Sequence, residues 1–105
     1  MLLVHLTLDP PSGVELLPAD TGALIRACAA HEDGLEHVAV HASAVPRPVI
    51  GVFLRQPNLA TAEATAGRLW RRAVACRPEL AAWQLVHAEA PLLRPEVLWP
   101  EDGTA

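Results

Sequence analysis

Residues 35–55 read LEHVAVHASAVPRPVIGVFLR, and this stretch decides the fold. Val38 and Val40 alternate with His37 and His41, which is the two-residue period of a half-buried strand. A second apolar run follows a turn that contains two prolines, and proline belongs at strand ends because it cannot donate a ladder hydrogen bond. The stretch is therefore predicted to be a β-hairpin on which the rest of the chain is built.

The hydrophobic pattern also predicts how the two hairpin strands align. A slip of one residue would move every side chain of a strand to the other face of the sheet. Ile50, Val52 and Leu54 are expected on the same face as Val38 and Val40. Residues of equal parity then stand opposite each other, and the second face carries histidines, an arginine, a glycine and a phenylalanine.

Two further strands are expected at the two ends of the domain. Residues 2–8 carry leucine or valine at every second position, and residues 82–89 form a last strand before a proline-rich segment. In this last strand two facings compete, one with Trp83 and Leu85 toward the core and one with Val86 and Ala88. The first is favoured, and it draws His87 toward the core side.

A first helix is expected between the first strand and the hairpin. Asp20 or Thr21 can cap it, because a side-chain oxygen there accepts a bond from an unpaired backbone N–H. The helix is expected to run to about Asp33, with Gly34 as a left-handed residue after it. Its inner stripe is expected to contain Leu24, Ala27, Cys28 and His31.

A second helix is expected after the hairpin, from a cap at Asn58 or Thr61 to about Arg77. Its alanine-rich inner stripe lets the helix axis sit close to the sheet, and it contains Ala62, Ala66, Leu69, Ala73 and Cys76. Cys28 and Cys76 fit no metal or redox spacing, so both are interpreted as buried, reduced thiols of a cytoplasmic protein.

The order strand–helix–strand–strand–helix–strand predicts an α+β fold. With right-handed crossovers it gives a ferredoxin-like plait, in which a four-stranded antiparallel sheet of order 4-1-3-2 carries both helices on one face. Residues 1–90 are expected to form this single domain. Residues 91–105 are interpreted as a proline-rich apolar extension that packs on the domain or on a partner. A second copy often covers such an open sheet face, so a dimeric α+β barrel is a further expectation.

The open face of the sheet is the predicted ligand or partner face. Gly51 would let a flat molecule approach the sheet, and the ring of Phe53 would stack on it. If the protein is an enzyme, His5 and His41 are the candidate acid–base groups and Arg55 would orient an anionic group. The complete set of predicted face residues is His5, Thr7, His37, His41, Gly51, Phe53 and Arg55.

Composition limits the range of partners. The chain has 105 residues, 51% of them hydrophobic, and a formal net charge of −4. The acidic balance argues against nucleic acid as a partner, since phosphate binding relies on a basic surface. No run of about 18 apolar residues is present and the N-terminus has no secretory pattern, so no membrane partner and a cytoplasmic location are expected.

The sequence predicts a candidate docking patch on the second helix but no metal site. Arg68, Arg71 and Arg72 on the outer side of the second helix form a candidate docking patch for an acidic partner or an anionic ligand. A metal site is not expected, because His37 and His41 lie about 13 Å apart on one strand, too far to ligate the same ion. No cofactor is expected either.

The function that this pattern favours is a small non-catalytic binding module, because no nucleophile motif or phosphate-binding loop is present. We expect a homodimer that binds a partner protein or a small apolar ligand through its open face and C-terminal extension. The alternative is a small cofactor-free enzyme, of cyclase, isomerase or oxygenase type, with a histidine in a barrel-like cavity. An enclosed pocket of about 300 Å³ or more that contains His5, His41 or Arg55 would favour the alternative.

Overall fold

The computed structural model describes residues 1–13, 16–42 and 47–90. Four strands form one antiparallel sheet, and they are β1 (Leu2–Asp9), β2 (Leu35–His41), β3 (Val49–Leu54) and β4 (Gln84–Glu89). Two α-helices accompany the sheet, α1 (Thr21–Cys28) and α2 (Leu59–Cys76), and short 3₁₀ turns at His31–Asp33 and Pro78–Ala82 lead into β2 and β4. The small α+β domain with four antiparallel strands and two helices is thus confirmed.

Two of the expectations lie outside the described residues. They are the proline-marked turn at residues 43–46 and the extension at residues 91–105. Along the part of the chain that the structure describes, no helix has both the length and the apolar character that crossing a membrane requires.

The hairpin pairs as its hydrophobic pattern predicts. Val38 stands opposite Val52 and Val40 stands opposite Ile50, so residues of equal parity face each other. The strand order across the sheet is β2-β3-β1-β4. A bulge between Leu35 and His37 leaves one residue of β2 out of the ladder and shifts the last pair of the hairpin.

The core lies between the inner face of the sheet and the two helices. Val4, Leu6 and Leu8 of β1 are fully buried, as are the inward residues of β3, because side chains alternate across a strand. Small side chains on α2 let the helix pack closely on the sheet, as the sequence predicts. The core side chains that are least exposed are Val4, Leu6, Leu8, Ile25, Ile50, Val52, Leu54, Ala62, Ala66, Leu69, Ala73 and Leu80.

The second helix is confirmed with its cap. The Asn58 side chain accepts a hydrogen bond from the Thr61 backbone N–H at 2.8 Å, which satisfies one of the unpaired donors of the first turn. The helix ends at Cys76, and Arg77 has a non-helical backbone.

The predicted extent of the first helix was wrong. The helix ends at Cys28, because Ala29 is extended and a separate 3₁₀ turn follows. This turn has its own internal support, since the Asp33 carboxylate accepts the Ala30 backbone N–H at 2.7 Å. Gly34 is left-handed as expected, with φ of 68°. The inner side of the helix is also different, because Thr21 is buried, whereas Ala27 and His31 of the predicted stripe are exposed.

The predicted facing of the last strand is correct for Trp83 and Leu85 and wrong for His87. Trp83 is buried and Leu85 packs against the core. A bulge in the pairing of β1 with β4 then adds one residue, Val86, so His87 stands opposite Thr7 instead of turning toward the core side.

Candidate functional site

The open face is centred on Gly51 of β3, the strand that pairs with both β1 and β2. Gly51 stands opposite His5 of β1 and opposite Ala39 of β2. A Cβ atom added at Gly51 would lie 3.3 Å from Leu3 Cδ1 and 3.8 Å from His5 Cδ2, so neighbouring side chains already fold over the glycine. The centre of the face is therefore a shallow apolar floor with an imidazole at its side.

An aromatic pair adjoins this floor. The rings of Phe53 and His37 have centroids 5.5 Å apart and are tilted by 47°. When only the described residues are considered, Phe53 is half-buried and His37 is exposed. The pair presents an apolar ring edge and a polar ring on one surface, which suits contact with a second protein surface or with a flat ligand.

His5 is the titratable group that this face perturbs. Burial lowers the pKa of His5, and the charge of a protonated His41 lowers it further. His41 thus acts on His5 across the intervening strand β3. A neutral imidazole at pH 7 has one nitrogen that donates and one that accepts a hydrogen bond.

Arg55 lies apart from these two histidines. It follows the last residue of β3, four residues beyond Gly51, which is about 13 Å along an extended strand. Its guanidinium forms an ion pair with Glu36, and its backbone N–H donates to the Gly34 carbonyl oxygen at 2.7 Å. The enzymatic hypothesis requires Arg55, His5 and His41 to surround one point. The structure does not bring Arg55 to the two histidines.

A cleft beside Arg55 has about 330 Å³ of space. Arg26, His31 and Leu35 line it together with Arg55, so it lies at the end of α1 and contains neither His5 nor His41.

Two residues of the open face were missed by the sequence analysis. His87 stands opposite Thr7 and Glu89 stands opposite His5, and the His87 Nδ1 atom lies 3.6 Å from Glu89 Oε2. They were missed because the bulge in β4 reverses the alternation on which their facing was judged. The face thus extends over all four strands.

The three arginines of the predicted docking patch on α2 differ in their surroundings, and Arg72 is held in an ion pair with Asp33. The Arg72 Nη1 atom donates to Asp33 Oδ2 at 2.7 Å and to the Cys28 carbonyl oxygen at 3.0 Å. Asp33 is 2% exposed, so this arginine compensates a buried charge. Arg68 donates to Thr65 Oγ1 at 3.0 Å.

The Arg72 guanidinium holds the pKa of the Asp33 carboxyl below its usual range, with help from the Ala30 backbone N–H, although burial acts in the opposite direction. The pair is therefore charged at neutral pH. It ties the 3₁₀ turn before β2 to the helix α2, which is a structural role.

A second groove lies between α2 and the start of β4 and was not foreseen. It has about 380 Å³ of space, and Trp70, Val74 and Trp83 supply its apolar walls. Arg71 stands at its border. The sequence signal for it was two tryptophans in segments that pack together, but their spacing of 13 residues gives no local periodicity.

The two cysteines do not lie in the core, which corrects the interpretation of buried thiols. Cys28 is half-buried, Cys76 is exposed, and their sulfur atoms are 3.4 Å apart. Their contact arises because both residues end helices that pack side by side. Among residues 1–13, 16–42 and 47–90, no group of three or more histidine, cysteine or acidic side chains is arranged to hold a metal ion.

Searches with protein-family models, against curated proteins and against solved structures find no match to this chain.

Proposed function

We propose that this chain is a non-catalytic binding module that forms a homodimer through its open sheet face. The observation that supports this most is the apolar floor around Gly51, with Phe53 beside it, on the side of the sheet opposite the two helices. A face exposed only to water would instead carry polar side chains along all its strands.

The proposed architecture is a ferredoxin-like plait whose open faces meet in a dimeric α+β barrel. The strand order β2-β3-β1-β4, read from the other edge, and the helices packed on one face support it. We place the protein in the cytoplasm, where thiols such as those of Cys28 and Cys76 are reduced unless an oxidant acts on them.

The size of the sheet indicates what else the dimer needs. Four strands about 4.8 Å apart and about 22 Å long present roughly 400 Å² on one face. A standard interface takes about 800 Å² from each partner. The proposal assigns the missing area to residues 91–105, whose sequence includes Leu92, Leu98 and Trp99 and which lie outside the described residues.

The proposed module binds a partner protein or a small apolar ligand where the two faces meet. His5 and His37 would then supply hydrogen bonds at the border of the apolar floor. The enzymatic alternative, of cyclase, isomerase or oxygenase type, has less support, because Arg55 pairs with Glu36 away from His5.

A pair of substitutions tests the proposed interface. Phe53→Glu places a charge at the centre of the open face, whereas Leu59→Glu makes the same kind of change at a 43% exposed residue that begins α2. We expect sedimentation equilibrium to give monomeric Phe53→Glu and dimeric Leu59→Glu, with unchanged circular dichroism for both. A dimer that survives Phe53→Glu would place the interface elsewhere and contradict the proposal.

A further inference from the structure

The two cysteines of the chain lie against each other although 48 residues separate them in sequence. Cys28 is the last residue of α1 and Cys76 is the last residue of α2. The Cys28 thiol donates a weak hydrogen bond to Cys76 Sγ over 3.4 Å. Since Cys76 is exposed and Cys28 is only half-buried, core packing does not account for this pairing.

We propose that Cys28 and Cys76 are a redox-active pair that a hydroperoxide oxidises to a reversible disulfide, which fastens α1 to α2. The site lies in the helix layer, on the opposite side of the sheet from the open face, so it is independent of the proposed dimer.

The geometry requires little movement. A disulfide joins sulfurs about 2.0 Å apart, so the two atoms must approach by about 1.4 Å. Both residues stand where a helix gives way to extended backbone, at Ala29 and at Arg77, and neither side chain is enclosed. Rotation of one side chain and a slight shift of a helix end supply the approach.

The unequal exposure of the two thiols assigns their roles. The Cys76 thiolate, which is open to solvent, attacks a peroxide oxygen. The O–O bond breaks, the leaving oxygen takes a proton and departs as water or alcohol, and Cys76 becomes a sulfenic acid. The Cys28 sulfur then attacks the Cys76 sulfur, the S–O bond breaks and water leaves. Two thiols have given two electrons to one hydroperoxide and have formed one disulfide.

The surroundings of Cys28 make it the less reactive thiol toward the peroxide in the first step. Burial and the adjacent Cys76 raise the pKa of the Cys28 thiol, so it stays protonated in the resting pair. The Arg72 guanidinium, which donates to the Cys28 carbonyl oxygen at 3.0 Å, acts in the opposite direction, but it is the weakest of these influences on the Cys28 pKa.

The test treats the full-length protein with one equivalent of hydrogen peroxide and counts free thiols. We expect both thiols to disappear together, with a mass loss of two hydrogens in a single chain, and a reductant to restore them. The bond closes a long loop, so the thermal midpoint should rise by roughly 10 °C on oxidation. Cys28→Ser should stop at a Cys76 sulfenic acid that dimedone traps, with no rise in the midpoint.

A matched control moves the thiol by one position while keeping two cysteines in the chain. The double variant Cys76→Ser with Ala75→Cys turns the thiol by about 100° around α2, away from Cys28. It should form no internal disulfide under the same treatment. Independent loss of the two wild-type thiols, a disulfide between two chains, or equal bond formation in the control would each overturn the proposal.

Discussion

Substitution of Gly34 by alanine tests how the chain enters the hairpin. Gly34 has φ of 68°, which alanine adopts at a cost of about 1–2 kcal/mol. An added Cβ would also overlap the Arg55 carbonyl oxygen and lie 3.4 Å from Arg55 Cβ. Because both contacts are made by the backbone and the Cβ atom of Arg55, just after β3, no flexible side-chain end can move away to relieve the clash.

The expected destabilisation follows from these contacts. To make room, the Arg55 backbone must shift and weaken its 2.7 Å hydrogen bond to the Gly34 carbonyl, which adds about 0.5–1.5 kcal/mol. Alanine gains back about 0.4–1 kcal/mol by restricting the unfolded chain. With the overlap itself, the free energy of unfolding should fall by about 3 kcal/mol, which lowers the urea midpoint by roughly 1.5 M.

Gly13 provides the control for backbone conformation alone. Its φ is 78°, and an added Cβ would meet no atom of the described residues within 4 Å. Gly13→Ala should therefore lower the free energy of unfolding by only about 1 kcal/mol. If urea unfolding gives equal midpoints for the two variants, the close approach of Gly34 to Arg55 is not what selects glycine.

Two further predictions concern charged groups. Asp33→Asn removes the buried partner of Arg72 and should lower the urea midpoint at pH 7 by about 1 M, far more than Asp20→Asn at an exposed pair. Because the folded pKa of Asp33 is lowered, this stabilisation is present above its ordinary value of 3.8 and is lost as the pH falls through the folded value, so wild type and Asp33→Asn should converge in urea titrations below pH 4. The folded pKa of His5 is lowered as well, so its neutral form stabilises the fold above its ordinary value of 6.5 and stability declines as the pH falls below it. His5→Gln should make the urea midpoint less dependent on pH between pH 8 and pH 5 than it is in the wild type, and an unchanged pH dependence would contradict the assignment to His5.

The hairpin and the second helix could be predicted because their signals are local. The alternation around Val38 and Ile50 specifies both the strands and their register. The cap at Asn58 and the small residues that follow specify α2. Each of these features depends on residues close in sequence, so no knowledge of the tertiary structure was needed.

The end of the first helix and the contact of the cysteines depend on distant residues. The turn after Cys28 is held by Asp33, whose partner Arg72 comes 39 residues later. The helical periodicity of the sequence alone predicts an α1 that is too long and places both thiols in the core. Periodicity reports nothing about a partner as distant in sequence as Arg72.

The candidate site was predicted in its centre and missed at its border. Period-two alternation suffices for Gly51 and Phe53 on the central strand. One bulged residue in β4 reverses that alternation, which is why His87 and Glu89 were not expected beside Thr7 and His5. Bulges leave no dependable mark in a single sequence.

The mass of the full-length chain in solution is the most direct test of the central claim that the open face joins two copies. Light scattering over a range of concentrations should give twice the chain mass of 11.2 kDa for the wild type and the mass of one chain for Phe53→Glu. A wild-type mass of one chain at every concentration would contradict the account, because the apolar floor around Gly51 would then have no second copy to cover it.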